Sequence, residues 1–321
     1  MGRYTHPAAG RSRALAARTR DLGRRGRGRV RVAEQRPHLS GLQRFTSMSR
    51  PIDPAYLSNR ALLALLPLLA LVSAGLASVR DTGGGPLAAA FSGALVAFAA
   101  WALTRELAPD YDAAAFVALT LAWVGNVAFG VNRVLLLFVA LLLVRIVNRS
   151  TGLPSRLFDT FAILGFCIWA ATSTQQPLLL LVAFAAFALD AALENPLRRH
   201  YLAAAACVGA FIWMLFGNPE LIADELTTRD WAWIAIFAGG ISLVVSRSLT
   251  PVSYCDISPD RLDRMRVNAG LVLGFLIAVQ ALLTSGPSAW LETPIWLCIF
   301  AVLLSFALRH AKGRPKSTFL D

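Results

Sequence analysis

Two short acidic stretches interrupt an otherwise apolar chain, and they contain the residue types that could do chemistry. The first holds Glu106, Asp110 and Asp112, and the second holds Asp256 and Asp260. Carboxylate-rich loops that meet at one membrane surface can bind Mg²⁺, and the bound ion can hold a diphosphate. This pattern is consistent with a metal-dependent enzyme that acts on a phosphorylated or prenyl lipid. Only in that case is a cofactor, Mg²⁺, expected.

Other charged residues near the ends of apolar segments extend the list of candidates. Arg198, Arg199 and Arg264 could contact a phosphate group. Asp159 and Asp190 lie just inside apolar segments, where ionisable side chains are costly and are often functional. Ion pairing with nearby arginines at the level of the lipid headgroups explains the two aspartates equally well.

Several of these acids could instead have the ordinary role of starting a helix. Asp112 is predicted to cap the third membrane helix, and residues 258–260 are predicted to begin the ninth. Caps account for Asp112 and Asp260, but they do not account for Glu106 or Asp256. On the sequence alone, the catalytic and the structural interpretation both stay open.

Cysteine and histidine give no sign of a metal centre. The four cysteines include no C-x-x-C pair, and the four histidines are scattered along the chain. This spacing argues against a disulfide framework, a zinc site and a haem site.

The hydropathy of the chain indicates which structural elements carry these residues. The chain is 56% hydrophobic and 16% charged, whereas roughly 25% of residues are charged in a typical soluble domain. Long apolar segments recur after residue 60, as expected of membrane helices of about 20 residues. The sequence therefore predicts an all-α, polytopic integral membrane helix bundle that occupies residues 48–321 as a single domain. About ten spans are predicted, at Ala61–Val79, Pro86–Leu103, Ala113–Gly130, Val134–Val147, Leu157–Ser173, Pro177–Leu193, Tyr201–Phe216, Trp231–Ser246, Val267–Thr284 and Trp290–Leu308.

The placement of basic residues predicts the orientation of the bundle. If the third and fourth spans form a hairpin at residues 130–133, thirteen later Lys and Arg residues fall on one side and only Arg229 falls on the other. Cytoplasmic loops of membrane proteins are enriched in Lys and Arg. Both termini and both acidic stretches are therefore predicted to be cytoplasmic, in a multi-pass protein of the bacterial inner (plasma) membrane.

The first 47 residues differ from the rest in composition. They contain 12 of the 31 Lys and Arg residues but only two acids, Asp21 and Glu34. They could be a basic disordered tail that binds anionic lipid or nucleic acid, or a transit peptide. The sequence favours a third interpretation, in which translation starts at Met48. No nucleic-acid partner is expected for residues 48–321.

Three functions fit this architecture. The favoured one is a transporter of 5+5 helices for an apolar or amphiphilic small molecule, with Asn126 and Gln280 as candidate polar residues near the midplane. The alternatives are the metal-dependent lipid enzyme and a non-catalytic membrane scaffold with the cytoplasmic loops as docking surfaces. The lipid bilayer is the expected partner in each case. Gly270 and Gly274 are expected to permit close helix packing. The substrate, any coupling ion and the oligomeric state are not predicted.

Overall fold

The computed structural model describes residues 45–48, 52–80, 85–130, 134–217, 226–248 and 251–311. All of them belong to one compact unit, Leu39–Asp321. The expectation about residues 1–47 falls almost entirely outside these described residues, and it stays a prediction.

The described part of the chain is helical and contains no β-strand; one isolated antiparallel bridge joins Tyr254 and Arg261. A 3₁₀ turn at Gly286–Ser288 and a one-turn helix at Ala289–Glu292 precede the last long helix. The ten longer helices are α1 (Leu57–Arg80), α2 (Gly85–Leu107), α3 (Asp112–Phe129), α4 (Val134–Asn148), α5 (Leu157–Thr174), α6 (Leu178–Ala192), α7 (His200–Gly217), α8 (Thr228–Arg247), α9 (Arg264–Ser285) and α10 (Ile295–Ala311).

Seven helical segments of the described chain are long and apolar enough to cross a membrane. The predicted all-helical class is confirmed, and the protein has the features of a multi-pass membrane bundle. The three shorter apolar helices are α4, α6 and α10, with 15, 15 and 17 residues. At 1.5 Å per residue, a 15-residue helix is about 22 Å long, which is less than the roughly 30 Å of hydrocarbon. Ten complete crossings and cytoplasmic termini stay predictions.

The short helix α4 lies in the interior of the bundle. It packs against α2, α6 and α9, and ten of its 15 residues are buried. By contrast, α1, α7 and α8 carry large apolar side chains on their outer surfaces, such as Leu71, Leu202 and Ile236. This distribution fits lipid as the surrounding solvent. A helix enclosed by other helices can end inside protein, where side chains satisfy its terminal backbone groups.

The starts of α9 and α10 differ from the prediction. Residues 258–260 do not begin α9: the helix starts at Arg264, and the Asp263 carboxylate caps it by accepting a hydrogen bond from the Arg266 N–H at 2.8 Å. The bridge between Tyr254 and Arg261 holds the intervening residues in a turn instead. The last predicted span is broken near Thr293 because Pro294 has no N–H to donate and disfavours helical geometry in the residue before it.

The close packing expected at the two glycines of α9 is confirmed. A Cβ atom added to Gly270 would lie 2.1 Å from Oδ1 of Asn148 on α4. One added to Gly274 would lie 2.9 Å from Cδ2 of Leu107 on α2. These glycines let α9 approach α4 and α2 closely.

Candidate functional site

The two acidic stretches meet through the carboxylate of Asp110. Its oxygens accept hydrogen bonds from the Val252 N–H at 3.1 Å and the Ser253 N–H at 3.0 Å. The Ser253 hydroxyl donates a third bond at 2.8 Å. Asp110 therefore ties the loop after α2 to the loop before α9, which lie about 140 residues apart in sequence.

Glu106 makes a second connection between polar segments. Its side chain is 1% exposed and accepts from Arg145 Nε at 2.9 Å and from the Ser150 hydroxyl at 3.1 Å. Its backbone carbonyl accepts from Nδ2 of Asn148 at 2.7 Å. The Ser150 carbonyl in turn accepts from the Asp256 N–H at 3.1 Å. Both acidic loops thus fold onto the turn that follows α4.

The other two acids of these loops contribute in simpler ways. The prediction that Asp112 caps α3 is wrong: Tyr111 occupies the capping position and Asp112 is the first helical residue. The Asp112 carboxylate pairs with Arg105. Asp260 has an exposed side chain, and its backbone carbonyl accepts from the Cys255 N–H at 2.8 Å. Asp260 shapes the loop through its backbone.

The carboxylates do not fit a magnesium site. Among the described residues, no three His, Cys, Asp or Glu side chains are placed to hold a metal ion. Mg²⁺ requires carboxylate oxygens that are free to bind it. One oxygen of Glu106, Oε1, and both oxygens of Asp110 already accept hydrogen bonds from protein donors. The two acidic loops do meet, but hydrogen bonds within the protein hold them together.

Asp190, near the end of α6, is the centre of a buried charged network. Its carboxylate is fully buried and accepts hydrogen bonds from Nε and Nη2 of Arg149 at 2.7 and 2.9 Å. Nη1 of Arg266 lies 2.8 Å from the same carboxylate. Arg266 also donates to the carbonyls of Val147 and Glu194, at 2.8 and 2.5 Å. Two arginines and one aspartate therefore connect α4, α6 and α9.

His200 and Thr160 extend this network to α5 and α7. The imidazole is fully buried, with Nδ1 2.8 Å from the Asp190 carboxylate and Nε2 2.9 Å from the Thr160 hydroxyl. An Asp–His–hydroxyl series of this kind can activate a nucleophile. Through these contacts the network links five helices, α4, α5, α6, α7 and α9.

Asp159, at the start of α5, binds the segment that precedes α1. Its carboxylate accepts from the Ser47 N–H at 2.8 Å and from the Ser47 hydroxyl at 2.7 Å. It also accepts from the Arg156 N–H at 2.9 Å, as expected in the first turn of a helix. Asp159 therefore anchors residues before the first helix to the bundle.

A cavity of about 510 Å³ lies at one end of the bundle, next to the joined acidic loops. Its walls come from the ends of α2, α8 and α10 and from the first turns of α9. The lining residues that stand further from the helix ends are apolar and include Val244, Leu271 and Phe306. The polar lining residues are Asp110, Tyr111, Arg247, Ser248, Arg264, Asn268, Arg309 and His310.

Positive charge predominates in this cavity. Three arginines line it against one aspartate. Arg309 donates to the Asp110 carbonyl at 3.0 Å and lies over the Tyr111 ring at 4.3 Å. Burial raises the pKa of the Tyr111 phenol, so Tyr111 adds no negative charge at neutral pH. The cavity therefore combines a basic rim with an apolar floor.

Ser248 arranges the basic rim. Its hydroxyl oxygen accepts from Arg264 Nε at 3.0 Å and from Asn268 Nδ2 at 2.9 Å. The side chain of Arg247, the preceding residue, makes no hydrogen bond or ion pair with the described residues. The end of α8 and the start of α9 thus bring two arginines to one side of the cavity.

Of the predicted phosphate contacts, only Arg264 lines the cavity. Arg199 donates instead to the Ser155 carbonyl, and Arg198 has an exposed side chain at the turn before α7. Sequence reasoning missed Arg247 and Arg309 as site residues. Both sit at the ends of apolar segments, where a membrane-topology signal fully explains a basic residue. Only the convergence of separate helices distinguishes them.

The two candidate midplane residues lie elsewhere. Asn126 is in the last turn of α3 and accepts from the Ser92 hydroxyl at 3.0 Å. Gln280 is buried near the end of α9, 3.4 Å from Oε1 of Gln176. Neither residue lines the cavity.

Comparison with known proteins identifies no relative: no family model, curated protein or solved structure matches the chain.

Proposed function

We propose that this protein is a carrier for an amphiphilic small molecule, with ten membrane helices, both termini in the cytoplasm, and a place in the bacterial inner membrane. The supporting observation is the cavity between α8, α9 and α10, which has an apolar floor and a polar rim. Its volume falls within the roughly 300–1,000 Å³ of ordinary small-molecule sites. The predicted orientation makes this cavity open toward the cytoplasm.

The alternative of a metal-dependent lipid enzyme has less support. It needs carboxylates that can take Mg²⁺, whereas Glu106 and Asp110 are occupied by donors of the protein itself. The scaffold alternative does not account for a cavity of this size. A carrier needs only a site between helices that can open to each side in turn.

One contact supports a division of the bundle into two halves of five helices. The fourth helix of each half, α4 and α9, pack against each other, as expected of elements beside a two-fold axis. The equivalence does not extend further in the described residues: α2 packs along α4, but α7 makes no comparable contact with α9. The proposed 5+5 division therefore concerns only the number of helices in each half, and no internal repeat is proposed.

The proposal predicts that filling the cavity stops transport. Val244 on α8 lines the cavity, while its neighbour Leu243 is exposed on the same helix and lies outside the lining. Vesicles reconstituted with the protein and a short-chain fluorescent phospholipid are treated with an impermeant quencher. Wild-type protein is expected to bring inner-leaflet label to the quencher within minutes. Val244→Trp is expected to lower that rate at least tenfold, and Leu243→Trp to leave it unchanged.

The same experiment separates the alternatives. If wild-type vesicles lose only their outer-leaflet fluorescence, the carrier proposal is wrong. Release of phosphate from a phosphorylated or prenyl lipid that requires Mg²⁺ and is lost in Asp110→Asn would support the enzyme. Equal transport by Val244→Trp and Leu243→Trp would remove the cavity from the transport route.

A further inference from the structure

We propose that the occupant of the cavity is a phosphate-bearing amphiphile, with its headgroup on Arg247 and Arg264 and its chain on the apolar floor. This inference rests on the proposed carrier function and names its substrate class. The class follows from the charge, the hydrogen-bonding capacity and the shape of the lining.

The negative charge of the lining is already engaged in hydrogen bonds within the protein. Asp110, the single carboxylate among the described lining residues, accepts from the Val252 N–H, the Ser253 N–H and the Ser253 hydroxyl. Arg309 is held by the Asp110 carbonyl and the Tyr111 ring. Arg247 and Arg264 have no carboxylate partner among the described residues. An uncompensated pair of arginines beside a cavity attracts an anion.

The two arginines also have unused donors. Among the described residues, the Arg264 guanidinium donates only through Nε, to the Ser248 hydroxyl, which leaves its terminal nitrogens for a ligand. The same bond fixes Arg264 next to the end of α8, where Arg247 follows Ser246 as the last residue of the helix. Guanidinium groups bind phosphate through two parallel N–H···O bonds, and this geometry favours phosphate over a neutral headgroup.

The rest of the cavity suits an apolar chain. Val244, Val267, Leu271, Val302 and Phe306 line it below the arginines. Helix α8 packs mainly against α9 and α10, and its outer face is apolar and exposed. A chain lying between α8 and its two neighbours would pass from the cavity to the lipid without crossing a polar surface. A free phosphate ion would leave this apolar floor unfilled.

The inference is tested by native mass spectrometry of the full chain purified in detergent. The probes are a short-chain phosphatidic acid, the matching diacylglycerol and inorganic phosphate. We expect one saturable phosphatidic acid per protein and at least tenfold weaker binding of the other two. Each of Arg247→Gln and Arg264→Gln is expected to weaken phosphatidic acid binding by about tenfold or more, the size of a lost charge-assisted hydrogen bond.

Matched variants keep the test independent of folding. Arg229→Gln changes an exposed arginine at the opposite end of α8, and it is expected to leave binding unchanged. Val244→Trp is expected to prevent binding while Leu243→Trp does not. The inference would be overturned if diacylglycerol bound as tightly as phosphatidic acid, or if inorganic phosphate alone bound tightly. It would also be overturned if the double variant Arg247→Gln, Arg264→Gln still bound phosphatidic acid fully.

Failure of this inference about the ligand can be distinguished from failure of the carrier proposal. Binding is measured without vesicles, so a protein that binds phosphatidic acid but moves no label keeps the ligand class and loses the carrier function. A protein that moves label without any headgroup preference keeps the carrier function and loses the ligand class.

Discussion

Asp190→Asn is expected to destabilise the protein severely, by about 3–5 kcal/mol, the usual result of breaking a buried ion pair by removing one partner. Arg149 and Arg266 both depend on this fully buried carboxylate. Without it, two guanidinium groups face each other in the core with no counter-charge. Asparagine keeps one oxygen but carries an NH2 group in place of the other, so either Arg266 or the His200 Nδ1 loses its acceptor.

This prediction is checked by the amount of protein in the membrane and by its thermal midpoint in detergent. Glu194→Gln is the matched control because it removes a nearby acid whose side chain is exposed, while the backbone carbonyl that Arg266 uses is retained. We expect the control to behave like wild type. A midpoint for Asp190→Asn within one or two degrees of wild type would show that the network is not what joins the helices.

Gly270→Val is expected to separate α4 from α9 and to cost about 1–3 kcal/mol or more, the range for overpacking a close contact. The new Cβ would lie 2.1 Å from Asn148 Oδ1, whose amide is held by the Glu106 carbonyl. The collision therefore affects the core and the turn that receives both acidic loops. Thermal unfolding in detergent measures the loss.

Gly165→Val is the control for this substitution. It introduces the same side chain into a membrane helix, α5, at a position with no atom within 4 Å of the new Cβ. The change in intrinsic helix propensity is the same in both variants and slightly favours valine over glycine. If both variants lose equal stability, the loss comes from placing valine in a membrane helix in general, and the close approach of α4 and α9 is not its cause.

The helices themselves could be predicted from hydropathy because every lipid-facing or buried segment must be apolar along its length. The ten predicted segments coincide closely with helices of the structure, from Leu57–Arg80 to Ile295–Ala311. Whether each helix crosses the membrane completely could not be predicted. An apolar run does not say whether its surroundings are lipid or protein, and α4 and α6 are shorter than the hydrocarbon is thick.

The site was less predictable than the fold, for a physical reason. The spacing of the acidic residues is typical of a metal-binding loop. Whether a carboxylate can bind a metal ion, however, depends on hydrogen-bond donors from distant segments, such as the Ser253 hydroxyl for Asp110. The cavity arginines come from three helices, and each one alone is an ordinary residue at a helix end. Hydrophobic periodicity contains no information about which helix ends meet. Only the close packing at Gly270 and Gly274 had a direct signal in the sequence.

The most direct test of the account is the side of the membrane on which the joined loops and the cavity lie. Pro259→Cys, in the loop before α9, and Arg229→Cys, at the start of α8, place thiols at exposed positions. Both are made with Cys255→Ser, although burial already raises the pKa of the Cys255 thiol and slows its reaction. An impermeant maleimide is added to intact cells. We predict labelling of Arg229→Cys at once and of Pro259→Cys only after permeabilisation; labelling of Pro259→Cys in intact cells would contradict the account.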